Sequence, residues 1–525
     1  MKIKQLVNII NNKIESSSDN ELGILFKANN NTYFYDAGTN KVLLCNDVEY
    51  KIINYILEHH NLNGIEKEEF EEELLYKGLE SVNNEIDKEN ILKKPKYNRF
   101  AVQEKINWEE REEHSITQII LELTEQCNLR CKYCIYNEST DKFRAFSEKA
   151  MDWEIAQKAI DYALGLSGKQ IAVTFYGGEP LLQFDLMKKC IDYTIKEHTN
   201  DKEIHFGFTT NLTLMTKEKA EYFANLEFCS ITCSIDGPED IHDQNRCYQN
   251  GVGSFQAAMN GLKNLIEAYG NERAYKMINI NAVFSPPYTY KKIRKVYDFF
   301  NDVKWLPDNI LITTTYKDEA RDFISEQQIN EARIFYKNSF HIVDPLQYFK
   351  FVNSSEDGQG KLRFGDDARM IRIHERMIVD NPIPFLMQNG CCMPGSRRLY
   401  ITTDGQYKVC ERIGNSPVIG DVYSGIDQES IKKYYIDEYC SVSIECCSTC
   451  WASQLCSICF ANIYSKDGIN LSKKRRSCIV QKCRIKNDLI MYYTLLNKNV
   501  EYIKRISVLN SNNYRKEILR NDKKK

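Results

Sequence analysis

The 525-residue chain has no apolar run long enough to span a bilayer, which excludes a helical membrane protein. It has no excess of one charge: 70 Lys and Arg stand against 73 Asp and Glu, so nothing draws the whole molecule to nucleic acid or to a membrane. Its first residues, Met1-Lys-Ile-Lys-Gln-Leu-Val-Asn-Ile-Ile, are basic and then briefly apolar. They lack the long apolar core and small-residue cleavage site of a secretory signal, so the sequence predicts a cytoplasmic protein. A reducing compartment in turn excludes disulfides as the use of the 19 cysteines and leaves metal. Eleven of those cysteines fall between Cys391 and Cys483. With 42% hydrophobic and 27% charged residues, the chain has material for roughly two to four domains.

The sequence is organised around Cys127-Asn-Leu-Arg-Cys131-Lys-Tyr-Cys134, which follows the apolar run Ile119-Ile120-Leu121-Glu122-Leu123. Three thiols this close can wrap one cubane cluster and leave its fourth iron open to a small molecule. Zinc, the alternative, wants a fourth ligand nearby. Neither His nor Cys follows before Cys190, so the spacing favours a cluster. Cys-x3-Cys-x2-Cys with an aromatic, Tyr133, before the last cysteine resembles the signature of radical S-adenosylmethionine (SAM) enzymes. The resemblance implies that the open iron chelates SAM, whose cleavage releases a 5′-deoxyadenosyl radical.

Residues 1–95 read as a separate front domain. Leu22–Asn30, Thr32–Asp36 and Val42–Cys45 are β-prone, with a turn signal at Ala37-Gly-Thr-Asn40. Asp47 is the expected N-cap of a helix carrying Val48, Ile52, Ile53, Ile56 and Leu57 on one face. An acidic helix striped by Phe70, Leu74 and Leu75 is expected next. This order is winged-helix-like. Glu66–Glu73 holds six acidic residues against one lysine, which disfavours contact with phosphate. The order resembles the peptide-recognition domain at the front of many enzymes that modify ribosomally made peptides, where the leader adds a strand to a sheet edge. Lys88–Glu113 is charged and without period, and residues 96–116 are taken as linker.

From Ile119 onward, strand-like runs alternate with helical stretches. The strands are expected at Ile119–Leu123, Ile171–Tyr176, Ile204–Thr209, Cys229–Ile235, Ile278–Phe284 and Ile310–Thr315, with helices such as Ser147–Leu166 and Phe255–Ala268 between them. Such alternation predicts an α/β fold of parallel strands and crossover helices, a partial (β/α)6 TIM-like barrel over residues 117–340. Ligand chemistry there gathers at the carboxyl ends of strands. Tyr176-Gly177-Gly178-Glu179-Pro180, Thr209-Thr210-Asn211-Leu212 and Ser234-Ile-Asp-Gly-Pro238, the last followed by His242 and Arg246, all fall at such ends. These runs resemble the motifs of the peptide-modifying radical SAM branch. The resemblance implies that Gly177, Gly178 and Glu179 meet the amino group of SAM. It places Asn211 and Ser234 beside the nucleoside and Arg246 on the SAM carboxylate, to which paired guanidinium donors are suited. Asp236 and His242 read as braces of the turn. Cys229 and Cys233 read as core residues.

Residues 341–390 form a connector with a loop at Asn353–Gly360. A cysteine-rich module is expected over 391–485. Arg398–Thr402 and Gln406–Val409, turning at Asp404-Gly405, form a hairpin that delivers Cys410. Close thiol pairs follow as Cys447-x2-Cys450-x5-Cys456-x2-Cys459, then Cys478 and Cys483. On spacing alone, zinc ribbons and iron–sulfur clusters stand equal. The series resembles the SPASM extension of radical SAM enzymes, except that two residues rather than three separate Cys456 from Cys459. The resemblance implies two auxiliary 4Fe–4S clusters. Cys392, Cys410 and Cys459 would serve the first, and Cys447, Cys450, Cys456 and Cys478 the second. The first set is one ligand short, since Cys391 is too close to Cys392, and its open iron is expected to take a substrate thiolate. Cys440, Cys446 and Cys483 are the alternatives for that place. Residues 486–525 read as a helix ending in a basic tail, Lys523–Lys525.

Together the three parts resemble radical SAM maturases of Cys-rich ribosomal peptides, the makers of sactipeptides and ranthipeptides, in particular through Cys392-x-Pro-Gly, Arg398-Leu-Tyr and Cys410-Glu-Arg412. The resemblance implies three 4Fe–4S clusters, SAM, a Cys-rich precursor peptide with a leader, and a flavodoxin- or ferredoxin-type electron donor. The implied reaction is thioether formation from a peptide cysteine to a carbon activated by hydrogen abstraction. Sulfatase maturation of the formylglycine type, carbon–carbon crosslinking and epimerisation use the same machinery. A zinc-binding winged-helix regulator is the reading from a different class.

Overall fold

The front of the chain folds around a small core of its own. In the computed structural model, helix α1 (Lys2–Asn11) precedes an antiparallel sheet of β1 (Gly23–Ala28), β2 (Asn31–Asp36) and β3 (Val42–Cys45), in that spatial order. Helices α2 (Asp47–His59) and α3 (Glu72–Glu89) complete the unit. Ile10, Phe34, Ile52, Ile56, Leu79 and Ile86 are buried together on one side of the sheet. The structure describes residues 2–102, 116–136, 145–198, 202–285, 289–316, 362–364, 366–387, 391–412, 416–465 and 468–498.

Several local expectations are corrected here. The opening residues form α1, with Val7 and Ile10 buried, a helix the basic start did not suggest. The N-cap of α2 is Asn46, not Asp47: its side chain accepts from Val48 N and Glu49 N, while Glu49 reaches back to the Asn46 amide. Asp47 instead occupies the first helical turn, where a carboxylate favours the helix dipole. On α3 the buried stripe is Leu75, Leu79, Val82 and Ile86, while Leu74 is 47% exposed. The stretch expected to be linker is packed over much of its described length, with Ile91, Leu92, Lys94, Tyr97 and Phe100 buried. Residues 103–115 lie outside the described residues.

The second face of the front sheet joins the main core. Tyr33 lies 4.9 Å from the Tyr493 ring, and Tyr35 meets Trp451 edge-on. The main sheet is built from β4 (Ile116–Thr124), β5 (Ser167–Gly177), β6 (Glu203–Thr210), β7 (Cys229–Ser234), β8 (Ile278–Phe284) and β9 (Leu311–Tyr316). These six are parallel and ordered as in the chain, as the alternation predicts. Helices Trp153–Leu166, Phe184–His198, Lys217–Ala224, Phe255–Tyr269 and Tyr290–Asp302 make the crossovers. The sheet is longer than six strands. On one side β10 (Leu362–Phe364) pairs with β9, and on the other β11 (Arg397–Ile401) pairs parallel to β4 and carries β12 (Tyr407–Lys408) outward as a hairpin.

The expected loop Asn353–Gly360 and the tail Lys523–Lys525 lie outside the described residues. The boundary expected between 485 and 486 falls inside a single helix, Leu471–Lys498, that carries Cys478 and packs on β1 and on the helix Asp366–His374. Its apolar residues Val480, Ile485, Leu489 and Leu495 are buried without a break, so nothing in the packing ends it at 485. Among the described residues, no helix is long and apolar enough to cross a membrane.

Candidate iron–sulfur and cofactor site

β4 ends at Thr124, and the loop that follows carries the three closely spaced cysteines over the carboxyl ends of the parallel strands. The loop is held by its neighbours. Arg130 N donates to Cys247 O at 2.7 Å and Lys132 N to Asn245 O at 3.0 Å. Gly178 N donates to Thr124 O and Glu179 N to Gln126 O, both at 2.9 Å. A Cβ on Gly177 would meet Thr124 O at 2.2 Å, and one on Gly178 would meet Gln126 O at 2.1 Å. The glycines therefore let the end of β5 lie directly against the start of the cysteine loop, a close approach of backbone to backbone.

Each of the three sulfurs has a donor aimed at it. Cys127 Sγ receives Leu129 N at 3.4 Å and Asn211 Nδ2 at 3.8 Å. Cys134 Sγ receives Tyr136 N at 3.4 Å, and Cys131 Sγ receives Arg246 Nη1 at 3.9 Å. Donors to sulfur are the surroundings that cluster thiolates use to set potential and orientation. Burial pushes the Cys127 thiol up to about 12 and Cys131 up to about 11, the latter held back by Arg246. As free thiols they stay protonated, and metal binding would displace those protons.

The remaining motif residues are brought to the same place. Glu179 is buried at the end of β5, and burial raises its pKa; its carboxylate accepts from Thr210 Oγ1 at 2.8 Å, Asn211 N at 2.7 Å and Leu181 N at 3.1 Å. It thereby ties the ends of β5 and β6 together. Asn211 Nδ2 also donates to Asn128 Oδ1 at 2.9 Å. Ser234 is buried at the last position of β7. Asp236, beyond it, accepts from Tyr133 Oη at 2.5 Å, Arg246 Nε at 3.1 Å and Val283 N at 3.0 Å. The Arg246 guanidinium lies 5.3 Å from the Tyr133 ring centroid. Arg246 and Tyr133 are thus fixed by one carboxylate beneath the cysteine loop, and Asp236 acts as the brace the turn suggests.

A second concentration of thiols lies in the segment 391–478. Cys447, Cys450, Cys456 and Cys478 line one pocket together with Cys446, Tyr439, Lys474 and Lys482. Ile458 N donates to Cys456 Sγ at 3.5 Å. These are the four cysteines assigned to the second auxiliary cluster, brought together from α-helical, loop and long-helix positions. Cys410 is close enough to Cys459 and Cys392 to feel both, and Cys392 is exposed. Arg398 Nη1 is paired with Glu411 at 3.1 Å, so two of the quoted motifs, Arg398-Leu-Tyr and Cys410-Glu-Arg412, are joined in space.

Among the described residues, no three His, Cys, Asp or Glu donors converge on single-ion geometry. Sequence reasoning set Cys391 aside for its closeness to Cys392. Cys391 is partly buried, donates to Ile458 O at 3.8 Å and lies near Cys459, whereas Cys392 is exposed. Of the three alternatives for the vacant ligand place, Cys446 lines the other pocket, and Cys440 is buried near Cys447. The buried lysines Lys94 and Lys474 were also missed, because lysine next to a cysteine motif carries no sequence signal of burial.

A nearly sequential parallel sheet, with a three-thiol loop over its carboxyl edge, defines the class. Residues 121–300 match the model of the radical SAM superfamily. The family implies a 4Fe–4S cluster and SAM. The segment runs from within β4 to the helix Tyr290–Asp302 and contains the three-cysteine loop. A protein of Methanocaldococcus jannaschii is 39% identical over 144 residues, 27% of this chain and 46% of that protein, so the chain spans about half of its length. The cysteine-type anaerobic sulfatase-maturating enzyme of Clostridium novyi is 26% identical over 353 residues, 64% of this chain and 86% of that enzyme. The structure of native anSMEcpe with bound AdoMet and Cp18Cys peptide covers 74% of this chain and 99% of its own, with TM-score 0.52 and 18% identity, a likeness of fold.

Proposed function

We propose that this chain is a radical SAM maturase that installs thioether crosslinks, cysteine sulfur to carbon, in a ribosomally made Cys-rich precursor peptide. When bound, the first cluster and SAM would supply a 5′-deoxyadenosyl radical that abstracts hydrogen from the acceptor residue. Cys127, Cys131 and Cys134 would hold that cluster, and Tyr133, Gly177, Gly178, Glu179, Asn211, Ser234 and Arg246 would surround SAM. Cys392, Cys410 and Cys459 would hold an auxiliary cluster with a place open to the peptide thiolate, and the exposure of Cys392 supports access to it. Cys447, Cys450, Cys456 and Cys478 would hold the other.

The observation that carries the peptide reading is the edge of β3. Among the described residues β3 pairs only with β2, and beside it runs a groove lined by Val42, Leu43, Leu44, Glu85, Arg376 and Ile378. Leu44 is 64% exposed and Ile378 52%. An open strand edge beside a partly apolar groove is what a leader peptide needs in order to add a strand. Docking there would raise the effective concentration of the attached core peptide at the sheet mouth.

A second reading is favoured by the Clostridium novyi relative, whose name specifies sulfatase maturation and most of whose length this chain matches. Co-expression with a Cys-rich precursor peptide, followed by mass spectrometry, separates the two. Thioether formation removes two hydrogens per crosslink and retains every sulfur, whereas formylglycine formation from cysteine removes the sulfur. A peptide that returns unmodified, or that loses sulfur, overturns the thioether proposal.

A further inference from the structure

The loop between Cys447 and Cys450 is held from outside its own module. Glu21 N donates to Thr449 O at 2.9 Å, and Trp451 N donates back to Glu21 Oε2 at 3.0 Å. Tyr97 N donates to Ser448 O at 3.1 Å, and Lys94 Nζ reaches the same oxygen at 3.4 Å. All the donors and acceptors on the far side of these bonds belong to the first hundred residues.

The charges are also arranged. Lys94 is fully buried, with Asn20 Oδ1 at 2.5 Å and the Tyr97 ring at 4.7 Å, and it makes no salt bridge among the described residues. A buried ammonium without a carboxylate is costly unless other negative charge lies near. Burial lowers its pKa to about 8, and Cys450, Glu21, Asp36 and Glu15 work against that fall. Lys474, 2% exposed, donates to Ser443 Oγ at 2.6 Å beside Cys447. Lys482 lines the thiol pocket and is held by Glu21 at 2.7 Å. Lys474 and Lys482 thus line the thiol pocket, and Lys94 stands behind the Cys447–Cys450 loop. Four thiolates on a 4Fe–4S core make a net anion, for which this shell is the complement.

We propose that the Cys447, Cys450, Cys456 and Cys478 site is composite: the front unit completes it, with Lys94 supplying positive charge directly and Glu21 fixing both Lys482 and the cysteine loop. The reduction potential of the cluster held there is therefore set partly by residues of the front unit. This rests on the reading of the four thiols as a cluster site. Lys94 and Glu21 are positioning residues; neither meets substrate.

The test is an EPR-monitored redox titration of anaerobically reconstituted full-length protein in which Cys127, Cys131 and Cys134 are replaced by Ala, leaving only the auxiliary signals. Removing a positive charge beside a cluster destabilises its reduced form. Lys94→Met is therefore expected to move the midpoint of one auxiliary signal to lower potential and leave the other in place, while Lys94→Arg keeps both where they were. Unchanged midpoints in Lys94→Met at full iron content overturn the proposal. If Lys94→Met loses the iron of one auxiliary cluster while Lys94→Arg retains it, the composite site is supported. If both variants fail to fold, Glu21→Gln, at a partly exposed position of the front unit, decides: a shifted midpoint in one auxiliary signal supports the proposal and unmoved midpoints overturn it. Parent protein with no auxiliary signal at all overturns the cluster reading itself, a distinct failure.

Discussion

His242 lies fully buried against the cofactor-site turn, with Nδ1 accepting from Asp236 N at 3.4 Å and Nε2 facing Ser254 Oγ at 3.1 Å. Ser254 Oγ in turn donates to Arg246 O at 2.9 Å. The chain of bonds needs a neutral ring with its hydrogen on Nε2, because a second hydrogen on Nδ1 would face the Asp236 amide donor to donor. Burial lowers the His242 pKa to about 4, against opposing help from Asp236. The sign follows. As pH falls below the unfolded value near 6.5, the unfolded chain takes the proton first. Stability is thus full above about pH 6.5, is lost down to about pH 4, and amounts to on the order of 3 kcal/mol. Urea unfolding of His242→Gln and of the unsubstituted protein across this range is expected to give a flatter profile for the variant. Parallel profiles would show that His242 does not titrate with folding. The Asp-Gly-Pro turn reads His242 as a brace in sequence, and the partners on both ring nitrogens agree.

At the scale of elements, β3 is the part of the fold with work left to do. Among the described residues its four positions are paired on one side alone, and the next wall of the groove is α3 with Glu85 and Glu89. Leu44→Asp is expected to weaken binding of a labelled leader peptide by tenfold or more, about 1.4 kcal/mol, read by fluorescence anisotropy. Because Leu44 is 64% exposed, fold stability should move by only about 0.5 kcal/mol. An unchanged Kd would remove β3 from the docking surface. The six main strands could be read from the chain because β-branched and apolar runs bounded by turn residues carry their own signal. β10 could not: three residues in a mixed stretch have no period, and they become a strand only because β9 offers an edge. Neighbouring residues Asn46 and Asp47 compete for the cap on nearly equal chemistry, and Glu49 settles it by closing the reciprocal bond on Asn46. Cys391 lies partly buried near Cys459 while Cys392 is exposed, a difference that spacing in sequence does not carry.

At the scale of the molecule, three stretches that read as separate domains share structure. Leu399, Tyr400 and Ile401 of the cysteine-rich stretch lie in register with Ile119, Ile120 and Leu121 of β4, the strand that leads into the three-cysteine loop. The front unit holds the Cys447–Cys450 loop, and its sheet packs on the long terminal helix. Local periodicity finds each unit but cannot reveal such joints, because a pairing between residues nearly three hundred positions apart leaves no local trace. The joints have a measurable consequence. A chain ended after residue 390 would keep all six main strands yet expose the β4 edge, whose Ile119, Ile120 and Leu121 are buried in the intact protein. An unpaired apolar edge invites pairing with another copy. Size-exclusion chromatography with light scattering is expected to show this truncated chain as soluble aggregate or precipitate, and the full chain as a defined species. A monodisperse truncated chain that still binds iron through Cys127, Cys131 and Cys134 would show instead that the radical SAM sheet is self-sufficient and that β11 is an addition to it rather than part of its closure.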